Sequence, residues 1–510
     1  MTKNLVRWGL IIFMAVLPAL FITVLVISQD LSFTHFIPIS PNDQNEYWHQ
    51  IATFNAVGFN GGYYTHLEQT APIPQSKFGV HGPFYIVLVG LLSRVTGWNY
   101  ATPIFYNMVF LALGFVIFAS LCKLNHTQIL LAGLSLSAFA PVLLYLPTAL
   151  QESFHQVVGI IFAAIFAIAL FHQEELDFWK KAVMVLFTLL VSIIRPSWGF
   201  LFFPLFALLL KKDIKSQAFA LFISFFLFFG VIFFDRLFIT PGNNTFTQAM
   251  DLLVVNFRSG IKFLLLTIMD NLKIYVGAVT IPQLVFRVEY ALILILSIVW
   301  TIFLLRKKER SIAQISKDAN LRLSILIFLI IFPVLLLSFS MYFAKNDMRF
   351  IAPYFILIIF LLVSHKKYAL VLVFVVINLL ILPMSVSLTN DFITRNFRYS
   401  EEEIMATRQV IEKHIRYEPS QTSDWCNTIL VPVTLYDERI SQIPAGIGIS
   451  YVLDNTGVEK FTFPVKSKYV WLTDQIADGL NQSEINQLTY LAGFPDSHLY
   501  LNKNSACVSE

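Results

Sequence analysis

The chain has 510 residues, of which 56% are hydrophobic and only 13% are charged. Soluble domains carry about a quarter charged residues, so this composition excludes an ordinary soluble protein. The formal net charge of +4 is too small to indicate a nucleic-acid partner, and none is expected.

Apolar runs of about twenty residues recur along the chain and predict a membrane protein with several helical spans. The first run, at 8–27, is long for a signal peptide and lacks a small-residue cleavage site, so we expect an uncleaved span. The other candidate spans lie near 103–122, 128–146, 156–172, 182–195, 199–210, 218–239, 289–305, 323–342, 350–364 and 368–386.

Residues 81–97 are also apolar, and the basic residues decide how they are interpreted. Lysine and arginine collect in short cytoplasmic loops, and the N-terminus carries Lys3 and Arg7. If 81–97 crossed the membrane, every later basic cluster would fall outside, whereas a segment at the outer surface or a re-entrant one puts them all inside. Those clusters are Lys180-Lys181, Lys211-Lys212 with Lys215, Arg306-Lys307-Lys308 with Arg310, and Lys366-Lys367.

We therefore predict a mainly α, polytopic protein of the plasma (inner) membrane, with about eleven spans within 1–386 and a cytoplasmic N-terminus. The first extracytoplasmic loop is then 28–102, with 81–97 as a juxtamembrane helix. The turns before 156–172, after 182–195 and before 350–364 share that outer face.

The tail at 387–510 changes composition and predicts a small extracytoplasmic α/β domain. Residues 400–415 have helical spacing, and 427–436, 466–475 and 498–502 are typical of strands. We expect this domain to stabilise the protein or orient an acceptor. Cys426 and Cys507 can pair if the tail is exported, and two unrelated free thiols are the alternative.

Two acids open the polar stretch beyond the first span. Asp43 and Glu46 are three residues apart and share a face if they lie on one helical turn. A carboxylate at the membrane surface can act as a general base toward an acceptor hydroxyl or amine. The alternative for Asp43 is a helix N-cap, since it precedes a plausible helix start.

Cationic or proton-bearing groups are predicted at the same face: Lys77, His81, Arg195, Lys345 and Arg349. A leaving lipid phosphate needs such partners because negative charge builds on it as its bond breaks. Each could instead be a residue that reaches the membrane interface, although a charge at the mouth of a span, as at Arg349, usually has a partner or a task.

Glu152 is a third acid at this face, with a helix cap or a satisfied polar residue in the bundle as the alternative. No cluster has the spacing of a structural zinc site. The motifs in chain order are Asp43-Gln44-Asn45-Glu46-Tyr47, His81-Gly82-Pro83-Phe84-Tyr85, Glu152, Arg195-Pro196 and Arg349-Phe350-Ile351-Ala352-Pro353.

This order of motifs resembles the GT-C class of integral-membrane glycosyltransferases, close to the branch of protein O-mannosyltransferases and lipid A aminoarabinose transferases. The resemblance covers roughly 1–386. Gly82 stands where that family usually has proline, and Phe350 where it has tyrosine. The family's adjacent Asp-Glu pair is split here, which leaves open whether Asp43 or Glu46 aligns with the base.

The resemblance implies inverting transfer of a sugar from a polyprenyl-phosphate donor to a lipid, glycan or protein acceptor, and juxtamembrane helices in the first loop. Asp43 is then the base, with Glu46 as runner-up, and Arg349, Lys345, Lys77 and His81 are candidates for the phosphate. Glu152 and Arg195 support the site. A divalent metal occurs in the wider class but is not expected in this branch.

Two other functions remain open at this point. A flippase or transporter of lipid-linked sugars needs polar residues spread through its spans, whereas here the charged groups crowd one face, which favours an enzyme. A surface-polysaccharide polymerase or ligase would also present arginines at the outer face, so the sequence discriminates poorly between it and a polyprenyl-phosphate-dependent glycosyltransferase.

Overall fold

The computed structural model describes residues 2–39, 42–73, 76–171, 176–211, 213–240, 245–277, 319–341, 349–397, 401–419, 423–432, 439–452 and 464–507. It also describes residue 435 and a few positions between 284 and 295. The described chain is mainly helical, with a small mixed sheet formed largely by the tail.

The helices, in chain order, are α1 (Thr2–Ser28), α2 (Asn42–Val57), α3 (Phe84–Thr96), α4 (Thr102–Leu121), α5 (His126–Ala138), α6 (Ala140–Tyr145), α7 (Glu152–Phe171), α8 (Phe178–Ile194), α9 (Phe202–Leu209), α10 (Ile214–Phe238), α11 (Thr245–Val255), α12 (Phe257–Val276), α13 (Ala319–Met341), α14 (Ala352–Ser364), α15 (Tyr368–Asn396), α16 (Glu401–His414), α17 (Asp474–Asp478) and α18 (Gln482–Ile485).

Within the described ranges, 6 helices are long and apolar enough to cross a membrane, which makes this a multi-pass membrane protein. They are α1, α4, α7, α10, α13 and α15. The prediction of about eleven spans is therefore not confirmed. The predicted span at 289–305 lies almost entirely outside the described residues.

Proline interrupts two of the predicted spans, and two others form single helices of 17 residues or fewer. The run at 128–146 is divided between α5 and α6, because Pro141 opens a new helix and Phe139 leaves the helical region with ψ 115°. The run at 199–210 begins as a 3-10 turn at Pro196–Leu201 and continues as the short α9. The runs at 182–195 and 350–364 form α8, of 17 residues, and α14, of 13.

Helix α3 occupies the predicted juxtamembrane segment. Its 13 residues span about 20 Å, less than the ~30 Å hydrocarbon core of a bilayer. It packs closely on α2, where a Cβ on Gly90 would lie 2.5 Å from the ring of Phe54. The length agrees with a segment that lies along the membrane surface or re-enters it.

Polar contacts define two ends of the helix bundle. At the end that we call the basic end, Arg7 donates to the carbonyls of Leu124 and Ala119, and Gln128 donates to the carbonyl of Val363. Lys367 at the start of α15 lies there too, because it follows the end of α14.

The opposite end, which we call the sheet end, is held by amide side chains. Gln44 on α2 donates to Asn396 at 2.7 Å and accepts from the backbone N–H of Ala149 at 3.0 Å. Asn396 also accepts from the N–H of Ile39. The ends of α1 and α15 and the turn before α7 therefore meet around α2.

The sheet has the order β1-β3-β2-β4-β6-β5. Strands β1, β3, β2 and β4 are parallel to one another, and β6 pairs antiparallel with both β4 and β5. The strands are β1 (Thr65–His66), β2 (Thr428–Pro432), β3 (Gly448–Val452), β4 (Tyr469–Thr473), β5 (Leu488–Phe494) and β6 (Ser497–Asn502). The predicted strands correspond to β2, β4 and β6.

Strand β1 comes from the first loop and pairs with β3, with Thr65 opposite Ser450. The loop and the tail therefore share one sheet. Their backbones approach closely at two glycines, since a Cβ on Gly62 would lie 1.8 Å from the carbonyl oxygen of Asn427 and a Cβ on Gly448 would lie 2.2 Å from Gly62. Only glycine fits at either position.

A disulfide joins Cys426, just before β2, to Cys507, after β6. Of the two alternatives left open by the sequence, pairing is the one that the structure contains. The bridge closes the tail around its buried core, in which Trp471 and Ile429 are completely enclosed.

Candidate functional site

The candidate site lies at the sheet end, where the first turn of α2 meets the start of α14. Helix α2 begins at Asn42, so Asp43 lies inside its first turn, where an acid suits the positive end of the helix dipole. Arg349 directly precedes the short turn into α14, whose first turn contains Pro353. Residues far apart in sequence are thereby brought together.

The Asp43 carboxylate is held by two cations. Arg349 Nη1 donates to its Oδ2 at 2.6 Å, and His81 Nε2 lies 3.8 Å from its Oδ1. Its side chain is still 38% exposed, so a substrate can reach it. Burial raises the pKa of Asp43, but the nearby His81, the charge of Arg349 and the hydrogen bond from Arg349 outweigh burial and hold this pKa below its usual value. The carboxylate is therefore ionised at neutral pH, and it is a weaker base than an ordinary aspartate.

His81 responds in the opposite direction. Burial lowers its pKa, but the ion-pair contact with Asp43 and the charges of Glu46 and Glu152 outweigh burial, so the pKa lies above its usual 6.5. Its ring lies against that of Tyr47, with centroids 4.7 Å apart. His81 therefore stays protonated to a higher pH than a free histidine and supplies a second positive charge beside Asp43.

Glu46 is one turn further along α2 and is enclosed. It is 5% exposed and accepts from Gln50 Nε2 at 2.6 Å. Gly79 makes room for it, because a Cβ there would lie 1.8 Å from Glu46 Oε1. Of the two acids that the sequence offers as the base, Asp43 is the more accessible to a substrate.

Glu152 and Arg195 form a buried ion pair beneath these groups. Arg195 Nη2 donates to Glu152 Oε1 at 2.9 Å, and the side chains are only 14% and 6% exposed. Glu152 opens α7, and Arg195 follows α8 at the point where Pro196 begins the 3-10 turn. Two predicted supporting residues from different helices are thus direct partners.

Tyr47 connects the two charged groups. Its hydroxyl accepts a hydrogen bond from Gln151 Nε2 at 2.5 Å, and Gln151 directly precedes Glu152 in the chain. Burial raises the pKa of Tyr47, and several charged groups lie within electrostatic reach of the phenol. These groups are Glu152, Asp43, Arg195 and Glu46.

The remaining predicted residues lie elsewhere or cannot be placed. Lys77 Nζ forms an ion pair with Asp424 of the tail at 2.6 Å, a contact that ties the first loop to the sheet. Lys345 lies outside the described residues. Within the described ranges, no group of three His, Cys, Asp or Glu side chains could hold a metal ion.

The sequence analysis did not single out Tyr47, although its position four residues after Asp43 puts it near the same face of a helix. It also missed Asp235 in the last turn of α10, whose Oδ1 would lie 3.9 Å from a Cβ on Gly82. Gly82 has φ +71°, which glycine adopts readily and proline cannot, so proline would not fit this turn.

No protein-family model and no curated protein matches the chain. The motif resemblance therefore stays a prediction, and the functional argument depends on the geometry of the site.

Proposed function

We propose that the protein is a membrane-embedded glycosyltransferase that moves a sugar from a polyprenyl phosphate to an acceptor at the extracytoplasmic face, with inversion. The observation that carries this proposal is the accessible Asp43 carboxylate, held between Arg349 and His81 at one end of an apolar helix bundle. A general base beside two cations is the combination that phosphate departure and acceptor attack require together.

Two features support an extracytoplasmic site. Arg7 and Lys367, which the positive-inside rule assigns to the cytoplasm, both lie at the basic end, opposite Asp43. The Cys426–Cys507 disulfide belongs to the sheet at the same end as the site, and such bonds persist in oxidising compartments.

In the proposed complex, the donor's lipid tail lies along the apolar helices and its phosphate binds Arg349 and His81. Arg349 donates a hydrogen bond to Asp43, so an arriving phosphate competes with Asp43 for the guanidinium. Loss of part of that pairing raises the pKa of Asp43 toward its usual value. Asp43 therefore becomes a stronger base once the donor is bound, which is the stage at which the acceptor reacts.

Asp43 then takes the proton of the acceptor hydroxyl or amine, and the acceptor atom forms a bond to the anomeric carbon. The bond between that carbon and the phosphate oxygen breaks, and its electron pair stays on the phosphate. Arg349 and protonated His81 offset the added negative charge. Attack from the face opposite the phosphate inverts the anomeric configuration.

Replacement of Arg349 by alanine is expected to weaken binding of undecaprenyl phosphate roughly 10- to 100-fold, the range for loss of a hydrogen bond to a charged group. Binding is measured on purified protein in lipid nanodiscs. Arg395, exposed in the last turn of α15, is the matched control, and its alanine variant should bind as wild type does. Unchanged affinity in the Arg349 variant would show that this residue does not contact the phosphate.

The raised pKa of His81 predicts how donor binding depends on pH. Protonated His81 attracts phosphate, so affinity should be highest below its pKa and should fall as pH rises through that value, which lies above 6.5. Replacement by asparagine should remove this decline. A pH profile that is the same in the variant and in wild type would assign the decline to another group.

The activity itself is tested with purified protein and undecaprenyl-phosphate sugars, by following release of undecaprenyl phosphate. Movement of the intact lipid across the bilayer without cleavage would replace this proposal with transport. Mass spectrometry of surface glycans, lipids and glycoproteins from a deletion strain then identifies the acceptor.

A further inference from the structure

Beneath Asp43, buried polar atoms without partners are concentrated in one place. We call these residues the inner polar cluster. Buried side-chain atoms without a hydrogen-bond partner occur at several places in the described part of the chain, and six of them belong to this cluster: Gln151 Oε1, Glu152 Oε2, Ser153 Oγ, His155 Nε2, Gln156 Oε1 and Arg195 Nη1. All belong to the start of α7 and the end of α8.

Such a concentration needs an explanation, because native proteins satisfy nearly all of their buried polar atoms. An unsatisfied buried group costs its full desolvation free energy, whereas an apolar side chain of similar shape would avoid that cost. The cluster also adjoins the candidate site, since Gln151 bonds to Tyr47 and the rings of Tyr47 and His81 are in contact. These facts indicate polar groups that a bound molecule satisfies.

Except in Ser153, which has a single side-chain polar atom, each free atom is held in position by the other polar atom of the same side chain. Glu152 and Arg195 bond to each other through one atom each. His155 Nδ1 accepts from Trp198 Nε1 at 3.1 Å, and Gln156 Nε2 donates to the carbonyl of Pro141 at 3.1 Å. This arrangement is typical of a preorganised binding site.

The chemistry of the free atoms favours an uncharged, hydroxyl-rich partner. The charges of Glu152 and Arg195 cancel, so the pair has little net attraction for a separate ion. Glu152 Oε2 and Gln156 Oε1 accept hydrogen bonds, whereas Arg195 Nη1 donates. A sugar hydroxyl both donates and accepts, and several hydroxyls on one ring can satisfy both kinds of atom.

We propose that the inner polar cluster binds the hydroxyl groups of the donor's sugar, with Glu152 and Arg195 as the residues that select it. This inference rests on the proposed function and extends it from the phosphate to the sugar. The free atoms are enclosed, so this proposal requires the cluster to open when the donor enters.

The test replaces the ion pair with apolar side chains, Glu152→Leu together with Arg195→Met, because such exchanges commonly preserve stability. Affinities in nanodiscs are measured for undecaprenyl phosphate and for undecaprenyl-phosphate glucose, mannose, galactose and arabinose. The wild-type protein should bind at least one of these lipid-linked sugars tenfold or more tightly than it binds undecaprenyl phosphate. The double variant should lose this preference while binding undecaprenyl phosphate within twofold of wild type.

Two further variants separate binding from folding. Gln156→Leu removes a free acceptor without disturbing the ion pair, so it should keep or raise thermal stability and weaken only sugar-dependent binding. Thr188→Val is the control, because Thr188 is a buried polar residue of α8 whose hydroxyl already donates to the carbonyl of Met184. It should leave the sugar preference unchanged.

Equal loss of affinity for all lipids in the double variant would assign the pair a structural role and overturn the inference. An unchanged sugar preference in the double variant would also overturn the inference. If the wild-type protein still transfers sugar, the proposed function would remain intact. Conversely, the wild-type protein could bind a sugar-bearing lipid through this cluster without cleaving it. That result would support the sugar subsite and contradict the glycosyltransferase proposal.

Discussion

Replacement of Asp43 by asparagine is expected to lower the rate of sugar transfer about 10²- to 10⁴-fold, the usual cost of removing a positioned base. Asparagine has nearly the same shape and can still accept a hydrogen bond from Arg349, so the chain should fold and bind undecaprenyl phosphate. The measurement is the initial rate of undecaprenyl phosphate release in nanodiscs at saturating donor.

Asp30→Asn is the matched control. Asp30 is exposed just after α1 and has φ 56°, a conformation that asparagine tolerates well, so this variant should retain wild-type turnover. Glu46→Gln separates the two acids, since Glu46 is enclosed and bonded to Gln50. Wild-type turnover in the Asp43 variant, or loss only in the Glu46 variant, would remove Asp43 as the base.

Removal of the Cys426–Cys507 disulfide is expected to have the largest effect on stability. The bridge joins positions 81 residues apart, and closing a loop of that size stabilises a fold by about 4 kcal/mol in the chain-entropy model. The double serine variant should therefore unfold its sheet at a lower denaturant concentration. Tryptophan fluorescence reports this transition, because Trp425 and Trp471 both lie in the tail.

Cys122→Ser is the control for loss of a cysteine, since Cys122 is a free thiol at the end of α4. It should leave the transition of the sheet unchanged. A double serine variant as stable as wild type would show that the hydrophobic core of the tail suffices without the bridge.

The sequence predicted much of the helical architecture because apolar runs in a membrane protein are long and unambiguous. It did not predict where those runs break. Pro141 and Pro196 divide or shorten helices, and hydropathy averaged over a span does not register a single residue. For 81–97 the charge distribution predicts a segment that does not cross the membrane, and the helix found there, α3, has only 13 residues.

The sequence likewise predicted some features of the candidate site and not others. Sidedness placed Asp43 and Arg349 at one face, but the order of helices within the bundle cannot be read from one sequence. The Glu152–Arg195 pair and the contact of Lys77 with Asp424 were therefore not foreseen. Strand β1 was missed because it has only two residues and its partner lies in the distant tail.

That short strand has a practical consequence for work on this protein. A tail expressed alone would lack β1 and leave one edge of β3 exposed, and an open edge invites pairing between molecules. Conversely, a truncation after α15 would remove contacts that hold the loop with Asp43 in place, because His49 on α2 bonds to the carbonyl of Ile443 at 2.9 Å. Chimeras that exchange tails between related proteins should therefore transfer residues 61–68 along with the tail.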